Sequence, residues 1–321
     1  MIELPPNGQS ELQAARDLSP PRVELAFRVG IIGHRPNRLG RADLPLLAER
    51  VQAILAAVRD AVEGFQRRYP GLYAETAAIF RAVTPLAEGA DRLFAQQALS
   101  LGYALCCPLP FAQDEYEVDF QPPRAQEPDS LARFRGLLDE ACAGAGLVLF
   151  ELDGDRAPAS AAYAAAGQVV LTQSDLLIAI WDGGEPAGNA GTVDSLRDAV
   201  QERIPVLVLD ACTPHGWTLV RNESDLDRLR PCTDAGEAAG ASLDWDGLRT
   251  LVWGPWTCLR TLPRSARGAP SDARTTVRTI SRNGGLAGTS PLPGGSSASC
   301  TAHIGCGCPR CGCRTSSRRT C

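Results

Sequence analysis

Three short stretches hold the residue types that could do chemistry, and each follows an apolar run. GIIGHRPNRLG (30–40) has Gly33, where the chain can turn and approach a ligand closely, then His34 and Arg35. An arginine in that position can bind a phosphate through two parallel N–H groups. TPLAEGADRLFAQQA (84–98) has Gly89 and Ala90 opening a helical pattern, flanked by Glu88 and Asp91. The first N–H groups of a helix attract anions, and the two acids either cap the helix or hydrogen-bond a ribose hydroxyl. DGGEPAGNAGTVDSLRDA (182–199) begins with Asp182, carries Gly183, Gly184, Gly188 and Gly191, and reaches Thr192 at a helix start. It reads as a phosphate cradle or as a flexible connection. One helix-terminal anion contact is worth only about 0.3–1 kcal/mol, so useful affinity needs several of them together with base or ribose contacts.

Absent residue types exclude whole reaction classes. All 32 basic residues are arginine, so no phosphate-loop lysine, Schiff-base lysine or kinase strand lysine exists. No serine or cysteine triad stands out, because the body holds only His34 and His215. Cys106–Cys107 lies within an apolar run and reads as core. No apolar run approaches about 18 residues, so no membrane-spanning segment is expected. The first residues lack a secretory pattern, and the expected location is the cytoplasm.

The polar stretches need a scaffold, and the intervening sequence supplies one. FRVGIIG (27–33), AAIFRAVTPLA (77–87), YALCCPLP (103–110), LVLF (147–150), LLIAIW (176–181) and PVLVLD (205–210) read as strands. Helical spacing is predicted over 44–69, 88–102, 127–142, 157–174 and 191–203, with Asp129 or Ser130 as a cap and Gly102 as a stop. Uninterrupted apolar strands alternating with helices predict an α/β, Rossmann-like, doubly wound parallel sheet in three layers. Its crossovers should be right-handed, and its ligands should sit at the carboxyl ends of the strands near the switch point. HGWTLV (215–220) and GLRTLVW (247–253) read as a late strand and a helical turn. The expected division is a flexible leader over 1–24, the ligand-binding domain over 25–212, an extension of it over 213–254, and a disordered tail over 255–321.

Charge separates the tail from the body. Residues 1–256 hold 22 Arg against 36 acids, net −14, while the rest hold ten Arg against Asp272 alone, net +9. The tail is poor in large apolar groups and cannot offset its chain entropy. Cys306, Cys308, Cys311 and Cys313, with His303, have zinc-like spacing but no apolar framework to hold a knuckle. The composition fits a GC-rich gene read out of frame better, so no metal or other cofactor is expected.

Several motifs in order resemble one group of proteins: VGIIGHR (29–35), PLAEGADRLFAQQAL (85–99), PLPFAQDEYEVDF (108–120), YAAAGQVVLTQSDLLIAIWDG (163–183) and GNAGTVDSLRDA (188–199). Together they resemble the SLOG superfamily, the Rossmann-like group that joins the DprA (Smf) DNA-processing proteins and the LOG phosphoribohydrolases. They are most similar to its bacterial members thought to sense nucleotide-derived ligands. The resemblance implies that a nucleotide, NAD- or ADP-ribose-like molecule is bound by Gly33, His34, Arg35, Gly89, Ala90, Asp91, Asp182, Gly183, Gly191 and Thr192, with Glu115 and Tyr116 second in rank. LOG hydrolases place a Glu three residues after the Thr of their P-G-G-x-G-T-x-x-E motif. Here that position is Ser195, which favours sensing over hydrolysis and leaves Asp194 or Glu88 as the working carboxylate if the chain is a nucleoside-monophosphate hydrolase. DprA-like binding of nucleic acid is disfavoured by the acidic body. Self-association as a homo-oligomer stays open.

Overall fold

The computed structural model describes residues 22–184, 191–229, 247–250 and 275–280. All six parallel strands expected from the sequence form: β1 (Ala26–Gly33), β2 (Ile79–Val83), β3 (Ala104–Leu109), β4 (Leu147–Leu152), β5 (Leu176–Trp181) and β6 (Val206–Asp210). β7 (Trp217–Val220) adds antiparallel to β6, as the late strand in HGWTLV. The sheet order is β7-β6-β5-β1-β2-β3-β4-β8, where β8 is Thr275–Ile280. From β1 the chain builds outward to β4 on one side, then crosses to β5 on the other. The switch point therefore lies between β1 and β5, which pair in parallel from Val29↔Leu176 to Gly33↔Ile180.

The pleat sorts the apolar residues into two layers, because successive side chains point to opposite faces. Ile178 and Ile180 of β5, with Leu207 and Leu209 of β6, face one core; Leu177, Ala179, Val206 and Val208 face the other. The first core is covered by α1 (Leu44–Arg68), α2 (Ala90–Ser100) and α4 (Ser130–Ala143). The second is covered by α5 (Ala159–Gln173) and α6 (Thr192–Gln201). In α1 the buried Leu47, Val51, Ile54, Leu55, Val58, Val62 and Phe65 recur at helical spacing, and the Asp43 carboxylate caps the start by accepting from Leu46 N–H at 3.0 Å.

Local structure adds to the sequence reading or departs from it in three places. After β3, PLPFAQDEYEVDF forms the short helix α3 (Gln113–Tyr116) and a 3-10 turn (Glu117–Phe120), to which the sequence reading assigned no element. Asp129 is the N-cap of α4, but with φ +55 and no side-chain capping bond; its backbone, not its carboxylate, starts the helix. Within the stretch expected to be disordered, β8 (Thr275–Ile280) pairs antiparallel with β4 from Leu152↔Thr275 to Leu147↔Ile280. Edge pairing is carried by backbone groups, and β-branched residues such as those of TTVRTI favour the extended chain it needs. A last short helix, α7 (Glu223–Asp227), follows β7, and 247–250 is helical as GLRTLVW suggested. The leader up to 21, Gly188 with its neighbours at 185–190, and the four tail cysteines lie outside the described residues.

Candidate functional site

The two glycines nearest the switch point are used for chain-to-chain contact. Gly33 ends β1 where a Cβ would stand 2.6 Å from the Ala90 Cβ. Gly89, the N-cap of α2, has φ +88, and a Cβ there would stand 2.6 Å from the His34 carbonyl oxygen. The start of α2 thus lies directly on the backbone of residues 34–35, and the Ala90 N–H donates to the His34 carbonyl at 3.1 Å. One of the N–H groups read as an anion cradle is therefore already occupied.

His34 is buried and links both sides of the switch. Its Nε2 lies 2.9 Å from Asp182 Oδ1 beyond β5, and its Nδ1 lies 3.2 Å from Thr192 Oγ1 on the first turn of α6. Asp182 also accepts from Arg38 Nε at 2.7 Å, Arg38 Nη2 at 2.5 Å and Gly184 N–H at 2.9 Å. Burial works to raise the Asp182 carboxyl, but the Gly184 and Arg38 hydrogen bonds and the neighbouring positive charge outweigh it, leaving it below the usual carboxylate range. Burial lowers His34 against the pull of Asp182, so the ring is neutral at pH 7. An ionised Asp182 can only accept, so Nε2 carries the proton and Nδ1 accepts from the Thr192 hydroxyl. Arg38, Asp182, His34 and Thr192 form one clasp across the switch point. Gly183, with φ +75, turns the chain directly after Asp182.

The helix start at Gly191 differs from the glycine-only cradle. Gly191 is the N-cap, and its N–H donates to Asp194 Oδ2 at 3.1 Å, so Asp194 serves α6 as a capping carboxylate. Thr192 is the first helical residue rather than the cap, and its hydroxyl goes to His34. Ser195 N–H donates to the Gly191 carbonyl at 3.1 Å as ordinary helix backbone.

Arg35 behaves differently from its neighbours. It is half-buried at the end of β1, and its guanidinium carbon lies 5.7 Å from the centre of the Tyr163 ring on α5. Among the described residues that guanidinium makes no hydrogen bond or ion pair. Asp91, on the first turn of α2, is buried and feels the charge of Arg35 and Arg92. Its Oδ2 accepts from the Ala87 N–H at 3.3 Å. Burial nonetheless pushes its carboxyl up to about 7, against the Ala87 and Thr84 hydrogen bonds and those two arginines. Gly33, His34, Arg35, Gly89, Ala90, Asp91, Asp182, Gly183, Gly191 and Thr192 all gather at the carboxyl ends of β1, β2 and β5, although they come from three separate stretches.

The second-rank and hydrolytic residues are employed elsewhere. Glu88 is buried, and its two oxygens accept from the Gln126 N–H at 3.0 and 3.1 Å and from the Glu127 N–H at 3.1 Å, which anchors the loop before α4. Tyr116 packs between Phe120 (4.8 Å between ring centres) and Phe134 (5.9 Å), so its ring is core. Glu115 pairs with Arg156 at 3.3 Å. Cys106 and Cys107 are buried, and burial raises both thiols, as expected of core cysteines. Among the described residues no cluster of His, Cys, Asp or Glu could hold a metal ion.

Sequence reasoning missed Arg38, Asp119, Arg156 and Tyr163. Asp119 is buried and accepts from Tyr163 Oη at 2.5 Å, Arg156 Nη1 at 2.5 Å and Arg124 Nη1 at 3.4 Å. One signal was available: Tyr163 is the single aromatic residue in an alanine-rich helix, AAYAAAG, and stands near its start, after the carboxyl end of β4.

Comparison with solved structures finds the X-ray structure of DNA processing protein A (DprA) from Streptococcus pneumoniae. It is 14% identical, with a TM-score of 0.33, over 64% of this chain and 62% of that chain. The chain spans less than two thirds of the length of the DprA chain that it matches. No family model and no curated protein matches the chain. The Rossmann-like assignment rests on the strand order itself. No helix among the described residues is long and apolar enough to cross a membrane.

Proposed function

We propose that this domain binds a nucleotide-derived molecule at the β1–β5 switch point and holds the ligand's phosphate on Arg35. The observation that supports this reading is the state of Arg35: a half-buried guanidinium at the strand's carboxyl end, without an acceptor among the described residues. A guanidinium whose N–H edge meets no acceptor among the described residues is available to a ligand, and a phosphate is the partner its planar fork fits best. The clasp through Asp182 and His34 keeps β1, β5 and α6 in fixed relation, so the surrounding backbone is organised before a ligand arrives.

Sensing is favoured over cutting. Asp194 and Glu88, the two carboxylates a hydrolase could use, are held by backbone N–H groups. Glu88 has no side-chain hydrogen bond among the described residues, and Asp194 meets only Arg197, three residues on along α6, at 3.4 Å; neither is paired with a group that would aim it as an acid or base. Single-stranded DNA is the third ligand class to be tested; the net charge of −14 over residues 1–256 weighs against it.

The test is thermal and calorimetric titration of the protein with AMP, ADP-ribose, NAD and a single-stranded oligonucleotide, with and without Arg35→Gln. A ligand at about a hundredfold its Kd stabilises the fold by about 2.7 kcal/mol. The expected result is stabilisation by a phosphate-bearing nucleotide, lost in Arg35→Gln, with no product formed. Release of free base overturns sensing in favour of hydrolysis. Stabilisation by the oligonucleotide alone overturns the small-molecule reading.

A further inference from the structure

The manner in which Arg35 is held carries a further conclusion about the same site, and it rests on the reading of Arg35 as the phosphate contact. Arg38, Arg92 and Arg156 are all tied by their N–H edges: Arg38 to Asp182, Arg92 to the Leu86 and Ser130 carbonyls, Arg156 to Asp119. Arg35 has no such tie among the described residues; its guanidinium carbon stands 5.7 Å from the centre of the Tyr163 ring. A guanidinium carries five donors in its plane. With no acceptor on it among the described residues, that edge is available and matches two oxygens of one phosphate.

Tyr163 itself is fixed from two directions. Its hydroxyl donates to the buried Asp119 at 2.5 Å, and Phe111 packs edge-on against its ring at 5.6 Å and 81°. Asp119 is held in turn by Arg156 at 2.5 Å, and Arg156 also lies over Phe111 at 4.4 Å and donates to the Glu115 carbonyl. Burial and Asp119 both raise the Tyr163 phenol, so it stays protonated and keeps donating at neutral pH. A phenol that donates to a carboxylate becomes richer in electrons, and a cation over its face is attracted more strongly.

We infer that Tyr163, locked by Asp119, Arg156 and Phe111, is a positioning residue that presents the edge of Arg35 to a phosphate group offering two oxygens. The PLPFAQDEYEVDF segment thereby acts on the site through the Tyr163 ring. Its folding into α3 and a 3-10 turn places Asp119 within reach of the Tyr163 hydroxyl.

The experiment measures calorimetric affinity for AMP and for adenosine in the wild type, Tyr163→Leu, Tyr163→Phe and Arg35→Gln. It also follows the rate at which phenylglyoxal modifies Arg35, by peptide mass spectrometry without ligand. Tyr163→Leu should weaken AMP by about tenfold, the size of one partly desolvated cation–ring contact, and leave adenosine within about twofold. Tyr163→Phe keeps the ring, loses the Asp119 hydrogen bond, and should fall between. Labelling of Arg35 should rise several-fold in Tyr163→Leu, because the ring that holds the guanidinium in one position is gone. Equal weakening of AMP and adenosine means a general structural role for Tyr163 and overturns the inference, as does unchanged AMP affinity in Tyr163→Leu alongside its loss in Arg35→Gln. If the wild type binds neither probe, the phosphate reading fails by itself. Labelling then decides the role of Tyr163, and equal rates in wild type and Tyr163→Leu overturn it.

Discussion

Replacing Asp91 by asparagine should make this protein more stable at pH 8 and leave it little changed at pH 5. The carboxyl is buried on the first turn of α2, and burial raises it from 3.8 to about 7. A carboxyl raised in the folded state stays protonated where the unfolded chain has already lost its proton. Its penalty is absent below about pH 4, grows as pH rises, and is complete above about pH 7. Three units correspond to about 4 kcal/mol at pH 8, and solvent screening takes little from a group this buried. Asparagine removes that penalty and keeps an oxygen for the Ala87 N–H, which donates at 3.3 Å in the wild type. Its new amide needs an acceptor, and a buried donor left without one costs about 1–3 kcal/mol. The net gain at pH 8 is therefore about 1–3 kcal/mol. Between pH 8 and pH 5 the difference between the two proteins should shrink by about 2–3 kcal/mol, since about half of the penalty or more disappears over that window. Urea unfolding of both proteins at the two pH values measures this. Equal differences at pH 5 and pH 8 would mean that Asp91 is ionised throughout and that Arg35 and Arg92 outweigh burial. A gain at pH 8 coupled to weaker AMP binding would fit a carboxyl kept for ligand at the expense of stability.

Two further outcomes test the frame around the site. Asp182→Asn removes the charged acceptor shared by Arg38 and His34 and should cost about 1–2 kcal/mol at pH 7, a value reduced because the pair is partly exposed. The Asp182 carboxyl is depressed in the folded state, so its contribution is present above about pH 4 and is lost as pH falls below that; unfolding curves of the two proteins should converge in acid. Gly89→Ala places a Cβ 2.6 Å from the His34 carbonyl oxygen on a backbone with φ +88, and should cost about 3 kcal/mol in urea unfolding. A cost under about 1 kcal/mol would show that α2 can move away from residues 34–35.

The sequence by itself determined the sheet. Runs such as LLIAIW and VLVLD are apolar on both faces, and only a strand covered on both sides can bury them, so six parallel strands were legible without coordinates. The convergence of the three polar stretches was legible for the same reason: each follows a strand, and parallel strands deliver their ends to one edge. What each side chain does there was decided only by tertiary structure. Glu88, Asp91 and Asp194 have the same chemistry in the sequence, yet one anchors a distant loop, one is buried beside Arg35 and one caps α6. Hydrogen-bond partners up to 39 residues away set those roles, and no local pattern encodes a distance of that kind. Tyr163 and Asp119 lie 44 positions apart, and Arg35 is far from both in the chain. Only the crossing of the chain from β4 to β5 and the coiling of residues 113–120 bring the three together, and that meeting leaves one arginine over a ring with no acceptor on its N–H edge among the described residues.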